Sequence, residues 1–191
     1  MLGVKPEELE EVLREYRAQA MREERGEVEL VPAPESFSVI DLLASVRPTF
    51  QRINPEDPVY VATFRLLRWS QPAELSERAL TVVLYSAGRT IGEAAVERGL
   101  VRSLEDLVSF AYNQRIGLFD VVEYSGSRAR ILVYESISSA GIPNIGRAAC
   151  HFERGLIAGV LHGLTKRRVL VQETHCWGLG YTHDAFDVKI E

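Results

Sequence analysis

The region from Cys150 to Ile190 is the most informative part of this chain: it reads CHFERGLIAGVLHGL at 150–164 and RRVLVQETHCWGLGYTHDAFDVKI at 167–190. Its first part has glycine-spaced apolar residues and predicts a helix over Gly146–Leu164. Short apolar runs bounded by turn residues then predict two strands, Val169–Thr174 and Ala185–Ile190. Gly178-Leu179-Gly180 lies between these strands with no helix after it, so it predicts a turn and not a phosphate-binding loop.

A hairpin is predicted just before this region. Leu118–Tyr124 and Arg130–Ser136 are rich in strand-forming residues, and Ser125-Gly126-Ser127 between them has the composition of a turn. The elements predicted earlier in the chain are helices over Pro6–Arg25, Ser36–Val46 and Ala73–Arg98, a strand over Val59–Trp69, and a helix capped by Ser103.

This order of elements predicts an α+β fold, because the last strands adjoin through hairpins and do not alternate with helices. We expect an antiparallel sheet flanked by helices, with an extra N-terminal helix. Residues 1–34 are predicted to form that helix and a linker, and residues 35–191 the main domain. The apolar stripe of the N-terminal helix is expected to pack on the body of the protein or on a second copy.

Composition excludes several classes of protein. The chain has 191 residues and a formal net charge of -5, and it shows no basic stripe, which argues against direct nucleic-acid binding. It lacks the ~18 uninterrupted apolar residues of a membrane span. Glu7 and Glu8 stand where a signal peptide would be basic and apolar, so we expect a cytoplasmic protein. In that compartment Cys150 and Cys176 favour a metal site or buried thiols over a disulfide.

Several motifs in the second half of the chain resemble the 4-vinyl-reductase domain family. A cysteine opens a helix with a glycine-spaced face, a strand ends in Glu-x-x-Cys, and a glycine turn leads to an aromatic-containing last strand. The long predicted helix also contains Gly-Arg-x-x-Gly. The residues that carry these matches, spread over about 80–190, are Gly88, Arg89, Gly92, Cys150, Phe152, Gly155, Gly159, Glu173, Cys176, Gly180 and Phe186.

The resemblance implies a fold and a general task. Members share an α+β fold related to that of the small TRAPP-complex subunits, with a hydrophobic cavity between sheet and helices. They serve as sensor domains of phenol- and xylene-responsive activators, as free-standing hydrocarbon-binding proteins, and in bacteriochlorophyll synthesis. For residues 35–191 it implies a sensor or carrier domain for a hydrophobic, aromatic or tetrapyrrole-like molecule, acting as a homodimer or through a protein partner.

The alternative implied by the family is an enzyme or accessory factor for vinyl reduction in chlorophyll or bacteriochlorophyll synthesis. Reduction needs a hydride source, and the sequence shows no dinucleotide or flavin motif, so binding is favoured over catalysis. The family's sensors carry further domains after this one. If this chain regulates transcription, we therefore expect it to do so through another protein.

The resemblance also implies a zinc site. In the aromatic sensors a structural zinc is held by a Cys, a Glu and two further Cys, and the first three positions match Cys150, Glu173 and Cys176. The fourth falls on Asp184, whose oxygen zinc also accepts, although soft sulfur ligands select it better. His175 and His183 are possible substitutes, but His183 should point away from Asp184 in an extended strand. Alternatively, the cysteines are ordinary core residues.

Ligand-binding residues follow from the same analogy, which places a pocket between the long helix, the hairpin and the last helix. Small-molecule sites are mostly apolar with a few placed polar groups. Either these side chains line such a pocket or they fill the core. The candidate walls are Tyr85, Phe110, Tyr112, Tyr134 and Phe152, and the candidate polar anchors are His151 and Arg89.

Overall fold

A computed structural model describes residues 6–70 and 77–191, with residues 6 and 7 described by their backbone alone. It confirms the predicted α+β fold. Four antiparallel strands form one sheet in the order β1-β2-β4-β3. The elements are α1 (Pro6–Glu24), α2 (Pro48–Ile53), α3 (Asp57–Trp69), α4 (Glu77–Glu97), α5 (Leu104–Asn113), β1 (Leu118–Tyr124), β2 (Arg128–Tyr134), α6 (His151–Thr165), β3 (Val169–His175) and β4 (Asp184–Ile190), with 3-10 turns at Asp41–Leu43 and Trp177–Leu179.

The strands lie within two residues of their predicted positions. Gly126 turns the β1–β2 hairpin with a φ of +74°, a conformation that glycine adopts without strain. β4 pairs with both β2 and β3, so the last strand of the chain lies inside the sheet. The β3–β4 pairing is interrupted by a bulge between Glu173 and His175.

Alternate residues of the strands point to opposite faces of the sheet and contribute to two hydrophobic cores, one on each face. Phe119, Ile131 and Phe186 face the main core, which contains the buried side of α6. Their neighbours Leu118 and Leu132 face a second core under α1. The apolar stripe of α1 therefore packs on the body of its own chain. None of the helices in the described ranges is long and apolar enough to cross a membrane.

Helices α4 and α6 touch backbone to backbone. A Cβ added at Gly88 would lie 2.1 Å from the carbonyl oxygen of Phe152, and one at Gly155 would lie 2.1 Å from that of Tyr85. Glycine is required at these positions because any side chain would separate the helices. The predicted start of the long helix, Ala73, lies outside the described residues.

The strand predicted at Val59–Trp69 is wrong, because this segment is helix α3. Its β-branched and aromatic residues are typical of a strand, but the helix buries Arg65 and Arg68 and leaves Val59 and Leu67 exposed. The apolar pattern therefore does not mark its inner face.

The helix predicted at Ser36–Val46 is also wrong. Only a 3-10 turn forms there, and α2 begins at Pro48, whose fixed φ and missing N–H suit the first helical turn.

Candidate functional site

The structure brings three of the four predicted metal ligands together. Cys150 precedes the first residue of α6, Glu173 lies near the end of β3, and Cys176 follows that strand. The two Sγ atoms are 3.7 Å apart, and one ligand atom from each of the three residues lies within 4.8 Å of the others. Glu173 Oε1 accepts the backbone N–H of Cys150 at 3.0 Å and that of Ala149 at 3.2 Å.

The fourth predicted ligand, Asp184, is buried beside this group, where its Oδ1 accepts the backbone N–H of Trp177 at 3.4 Å. Both of its carboxylate oxygens lie 2.9 Å from Ser139 Oγ, which donates to them. As expected for an extended strand, His183 points to the other side, where its Nδ1 lies 3.1 Å from Glu23 Oε2. His183 is therefore placed away from Cys150 and Cys176.

The site contains more buried thiol and carboxyl groups than a protein interior can hold in ionised form. Burial raises the pKa of Cys150 well above its ordinary value and that of Cys176 to about 12. Burial, followed by repulsion from Glu173 and Glu153, raises the pKa of Asp184 to about 8. A divalent cation would reverse this preference, because it stabilises thiolate and carboxylate anions directly.

The arrangement of donors fits zinc. Two thiolates bound to a tetrahedral zinc at ~2.3 Å lie roughly 3.8 Å apart, close to the 3.7 Å observed. Glu173 Oε2 is buried and has no hydrogen-bond partner among the described residues. This carboxylate oxygen is therefore available as a third metal donor beside the two sulfur atoms.

Two buried arginines of α3, which the strand prediction missed, face the thiols and carboxylates of this site, which together are called the acidic group. Arg65 donates to the carbonyl oxygens of Ile137 and Ala140, each at 2.9 Å. The guanidinium of Arg68 lies over the ring of Trp69, with its Cζ 4.3 Å from the ring centroid. Burial lowers the pKa of both arginines, while the thiols and Glu153 act in the opposite direction. Their positive charges partly offset the acidic group.

Four buried polar nitrogens, on residues that follow the cysteines in the chain and at the end of α3, have no hydrogen-bond partner among residues 6–70 and 77–191. They are Arg68 Nη1, Trp69 Nε1, His151 Nδ1 and Trp177 Nε1. His151 and Trp177 directly follow Cys150 and Cys176 in the chain. Arg68 acts electrostatically on His151 and on both thiols, which places it in the same region. Buried polar groups are normally paired, so this grouping needs an explanation.

His151, one of the two predicted polar anchors, therefore lies in this region. Burial, with the nearby Arg68, Arg154 and Arg147, lowers its pKa to about 4, so the imidazole is neutral at pH 7. The sequence signal that could have marked the site is the pair of tryptophans. One directly follows Cys176 and the other ends the run Val59–Trp69.

The other predicted ligand residues are dispersed over both faces of the sheet. On the α1 side, Tyr134 stacks on Tyr16 with ring centroids 4.9 Å apart, and Tyr112 stacks on Phe50 at 5.6 Å. Tyr112 also lines an open groove of about 680 Å³ between α1, α5 and β1.

On the opposite side, the predicted residues are again apart. Phe152 meets Phe64 edge to face at 6.2 Å, and Phe110 packs at the margin of the main core. Tyr85 and Arg89 line a separate depression of about 390 Å³. The structure does not gather these seven residues around one cavity, and their role in binding stays a prediction.

Comparison with known proteins supports the resemblance found in the sequence. Residues 129–190 match the V4R domain, the 4-vinyl-reductase domain family. Two proteins of Methanocaldococcus jannaschii are similar to this chain. Uncharacterized protein MJ1642 is 28% identical over 132 residues, covering 69% of this chain and 78% of that protein. Uncharacterized protein MJ0150 is 33% identical over 114 residues, covering 59% of this chain and 66% of that protein.

A solved structure with a similar fold is the phenol-responsive sensory domain of the transcription activator PoxR with phenol. It aligns with a TM-score of 0.55 at 17% identity, over 68% of this chain and 74% of that one. At this identity the likeness concerns the fold. The predicted resemblance to the family is confirmed.

Proposed function

We propose, from the V4R match over residues 129–190, that this chain is a sensor or carrier domain that binds a hydrophobic small molecule next to a structural zinc ion. The observation that carries the proposal is the set of unpartnered buried nitrogens on the residues that follow Cys150 and Cys176 in the chain and at the end of α3. The phenol-responsive domain of PoxR, which shares the fold, is a sensor of a small aromatic. An aromatic ligand is therefore the first class to test.

Cys150, Cys176 and Glu173 would hold the zinc. The fourth ligand would be Asp184, whose carboxylate would then exchange its hydrogen bonds with Ser139 for the metal. Such an ion joins the start of α6 to the turn between β3 and β4, and it supplies rigidity, as structural zinc does elsewhere. With two thiolates and two carboxylates, the site should bind zinc less tightly than one with three thiolates.

The ligand would be an aromatic compound with a hydroxyl or carboxylate oxygen. Arg68, Trp69 and Trp177 present buried N–H donors, and the indole rings present apolar faces. A buried donor without a partner costs about 1–3 kcal/mol. An oxygen-bearing ligand recovers this cost, whereas a plain hydrocarbon of the same shape does not, so the site should discriminate between them.

Zinc is tested by elemental analysis of the purified protein beside a Cys150→Ser, Cys176→Ser double variant. The double variant should contain one zinc per chain less than the unaltered protein, because its two sulfur donors are gone. An Arg89→Gln variant, altered on the exposed side of α4, serves as the control and should keep its zinc. Equal zinc content in the double variant and the unaltered protein would refute the site.

Ligand binding is tested by intrinsic fluorescence, because both tryptophans of the chain, Trp69 and Trp177, lie at the proposed site. Titration with 4-nitrophenol should quench the emission saturably, and toluene should compete only weakly for the same site. Arg68→Gln should weaken 4-nitrophenol binding at least tenfold, while Arg52→Gln, at an exposed position of α2, should leave it unchanged. Linear quenching, or equal affinity in the two variants, would contradict the proposal.

The homodimer expected from the sequence is proposed to form through helices α3 and α4. Val59, Leu66 and Val83 are exposed apolar side chains on these helices, and burying such a surface favours association. Light scattering of the purified protein measures the state directly. A monomer at all accessible concentrations would contradict this part of the proposal.

A further inference from the structure

The ends of β3 and β4 carry a second set of metal-binding residue types on the sheet face opposite the cysteines. Glu173 points toward α6, and regular alternation would place His175 on the same face. The bulge between these two residues breaks the alternation, and bulges re-aim side chains in this way. His175 instead stacks on His183, with ring centroids 5.4 Å apart.

Glu24, the last residue of α1, completes this group. Its Oε1 lies 3.4 Å from Nε2 of His183. One ligand atom from each of Glu24, His175 and His183 lies within 4.8 Å of the other two. Three donors from three elements thus converge at the point where α1 ends on the sheet.

The imidazoles are oriented as metal-binding histidines usually are. Nδ1 of His183 lies 3.1 Å from Glu23 Oε2, and Nδ1 of His175 lies 2.9 Å from Thr174 Oγ1. In metal sites, a partner at one ring nitrogen fixes the tautomer and frees the other nitrogen for the ion. His183 is 1% exposed, and its Nε2 faces Glu24 Oε1 but makes no hydrogen bond in the described part of the chain.

The surrounding charge favours a cation. Glu23, Glu24 and Asp187 contribute three carboxylates, against the single guanidinium of Arg130. Arg130 bonds Glu24 Oε1 at 2.6 Å and Asp187 Oδ1 at 2.5 Å, so it has a carboxylate partner besides Glu24. Two imidazoles with a carboxylate suit zinc and its neighbours among divalent transition metals.

We propose that Glu24, His175 and His183 form a second metal site, for a divalent transition ion such as zinc. The neighbouring pairs 175/176 and 183/184 then serve two sites on opposite faces of the sheet. Because Glu24 ends α1, a bound ion fastens this helix to β3 and β4. The inference does not depend on zinc at Cys150 and Cys176.

The full-length Cys150→Ser, Cys176→Ser variant isolates this site. After removal of metal and addition of Zn²⁺, calorimetry should show one ion bound per chain, and Co²⁺ should bind without a thiolate charge-transfer band. Adding His175→Gln or Glu24→Gln should weaken Zn²⁺ binding at least tenfold. These two residues are not fully buried, so the variants should fold. His162→Gln, on α6, is the matched control.

The second readout is hydrogen exchange. Zn²⁺ should slow the exchange of amides in the last turns of α1 in the cysteine variant, and His175→Gln should abolish this protection. No Zn²⁺ binding by the cysteine variant, or binding unaffected by both His175→Gln and Glu24→Gln, would overturn the second site. Neither result would affect the cysteine site, which these experiments remove from the start.

Discussion

Replacing Gly159 with alanine tests the backbone contact between α4 and α6. The new Cβ would lie 2.2 Å from the carbonyl oxygen of Arg89 and 2.9 Å from its carbonyl carbon. Carbon–oxygen contacts are normally no shorter than roughly 3.3 Å, so the helices must separate by about 1 Å. A gap of about 0.5–1 Å forfeits a quarter to a half of the dispersion attraction between facing atoms.

The expected outcome is a net loss of stability. Alanine in a helix gains about 0.5–1 kcal/mol over glycine, but overpacking costs typically about 1–3 kcal/mol, occasionally more. We expect Gly159→Ala to lower the free energy of unfolding by about 2 kcal/mol, which for a chain of this length lowers Tm by roughly 4–8 °C. Urea and thermal unfolding followed by circular dichroism measure both quantities.

Two further variants make this test specific. Gly126→Ala meets no atom within 4 Å, so it reports only the strain of its positive φ, about 1–2 kcal/mol. The double variant Gly155→Ala, Gly159→Ala should cost less than the sum of the single changes, because the first already separates the helices. A Gly159→Ala protein as stable as the parent would show that α4 and α6 do not pack in this way.

Three other predictions concern the helix cap Ser103, the buried Arg65 and the proposed zinc ligand Asp184. Ser103→Ala removes the side-chain acceptor for the backbone N–H of Asp106 and should cost about 1 kcal/mol in urea unfolding, whereas Ser103→Asp should retain the stability. Arg65→Met leaves the carbonyl of Ile137 without its donor and removes one of the two donors to the carbonyl of Ala140, and it should cost about 1–3 kcal/mol; a calorimetric Tm equal to that of the parent would contradict this. Asp184→Asn should lower zinc affinity at least tenfold in chelator competition, and unchanged competition would remove Asp184 from the ligand set.

The sheet was predictable because its strands follow simple local rules. Leu118–Tyr124 and its partner are joined by a small-residue turn, and the alternation of their side chains matches the two cores. Helix α6 was likewise evident from its glycine-spaced apolar face. In these elements, local propensity and tertiary packing favour the same structure.

Helix α3 was not predictable by the same rules. Its inner side holds Arg65, which donates to backbone carbonyls, and Arg68, which lies over the Trp69 ring, while apolar residues such as Val59 and Tyr60 are exposed. Hydrophobic periodicity assumes that apolar residues mark the buried face. A helix that buries arginines for a polar site breaks that assumption, and its Val, Tyr and Thr content then indicates a strand.

The candidate site was predictable only in part. Cys150, Glu173 and Cys176 are separated along the chain, and the family resemblance, not their spacing, suggested that they meet. Glu24, His175 and His183 come together only because α1 packs on the sheet and a bulge precedes His175, and the sequence indicates neither feature. The aromatic residues chosen as pocket walls are dispersed because an aromatic residue serves a core as readily as a pocket.

A crystal structure of the zinc-loaded protein soaked with 4-bromophenol tests the proposed function most directly, because zinc and bromine both give anomalous signals. The proposed function predicts a zinc peak bonded to Cys150 Sγ and Cys176 Sγ, and a bromine peak among Arg68, Trp69 and Trp177. Thiols without a metal peak, or a bromine peak only at sites away from these side chains, would contradict it.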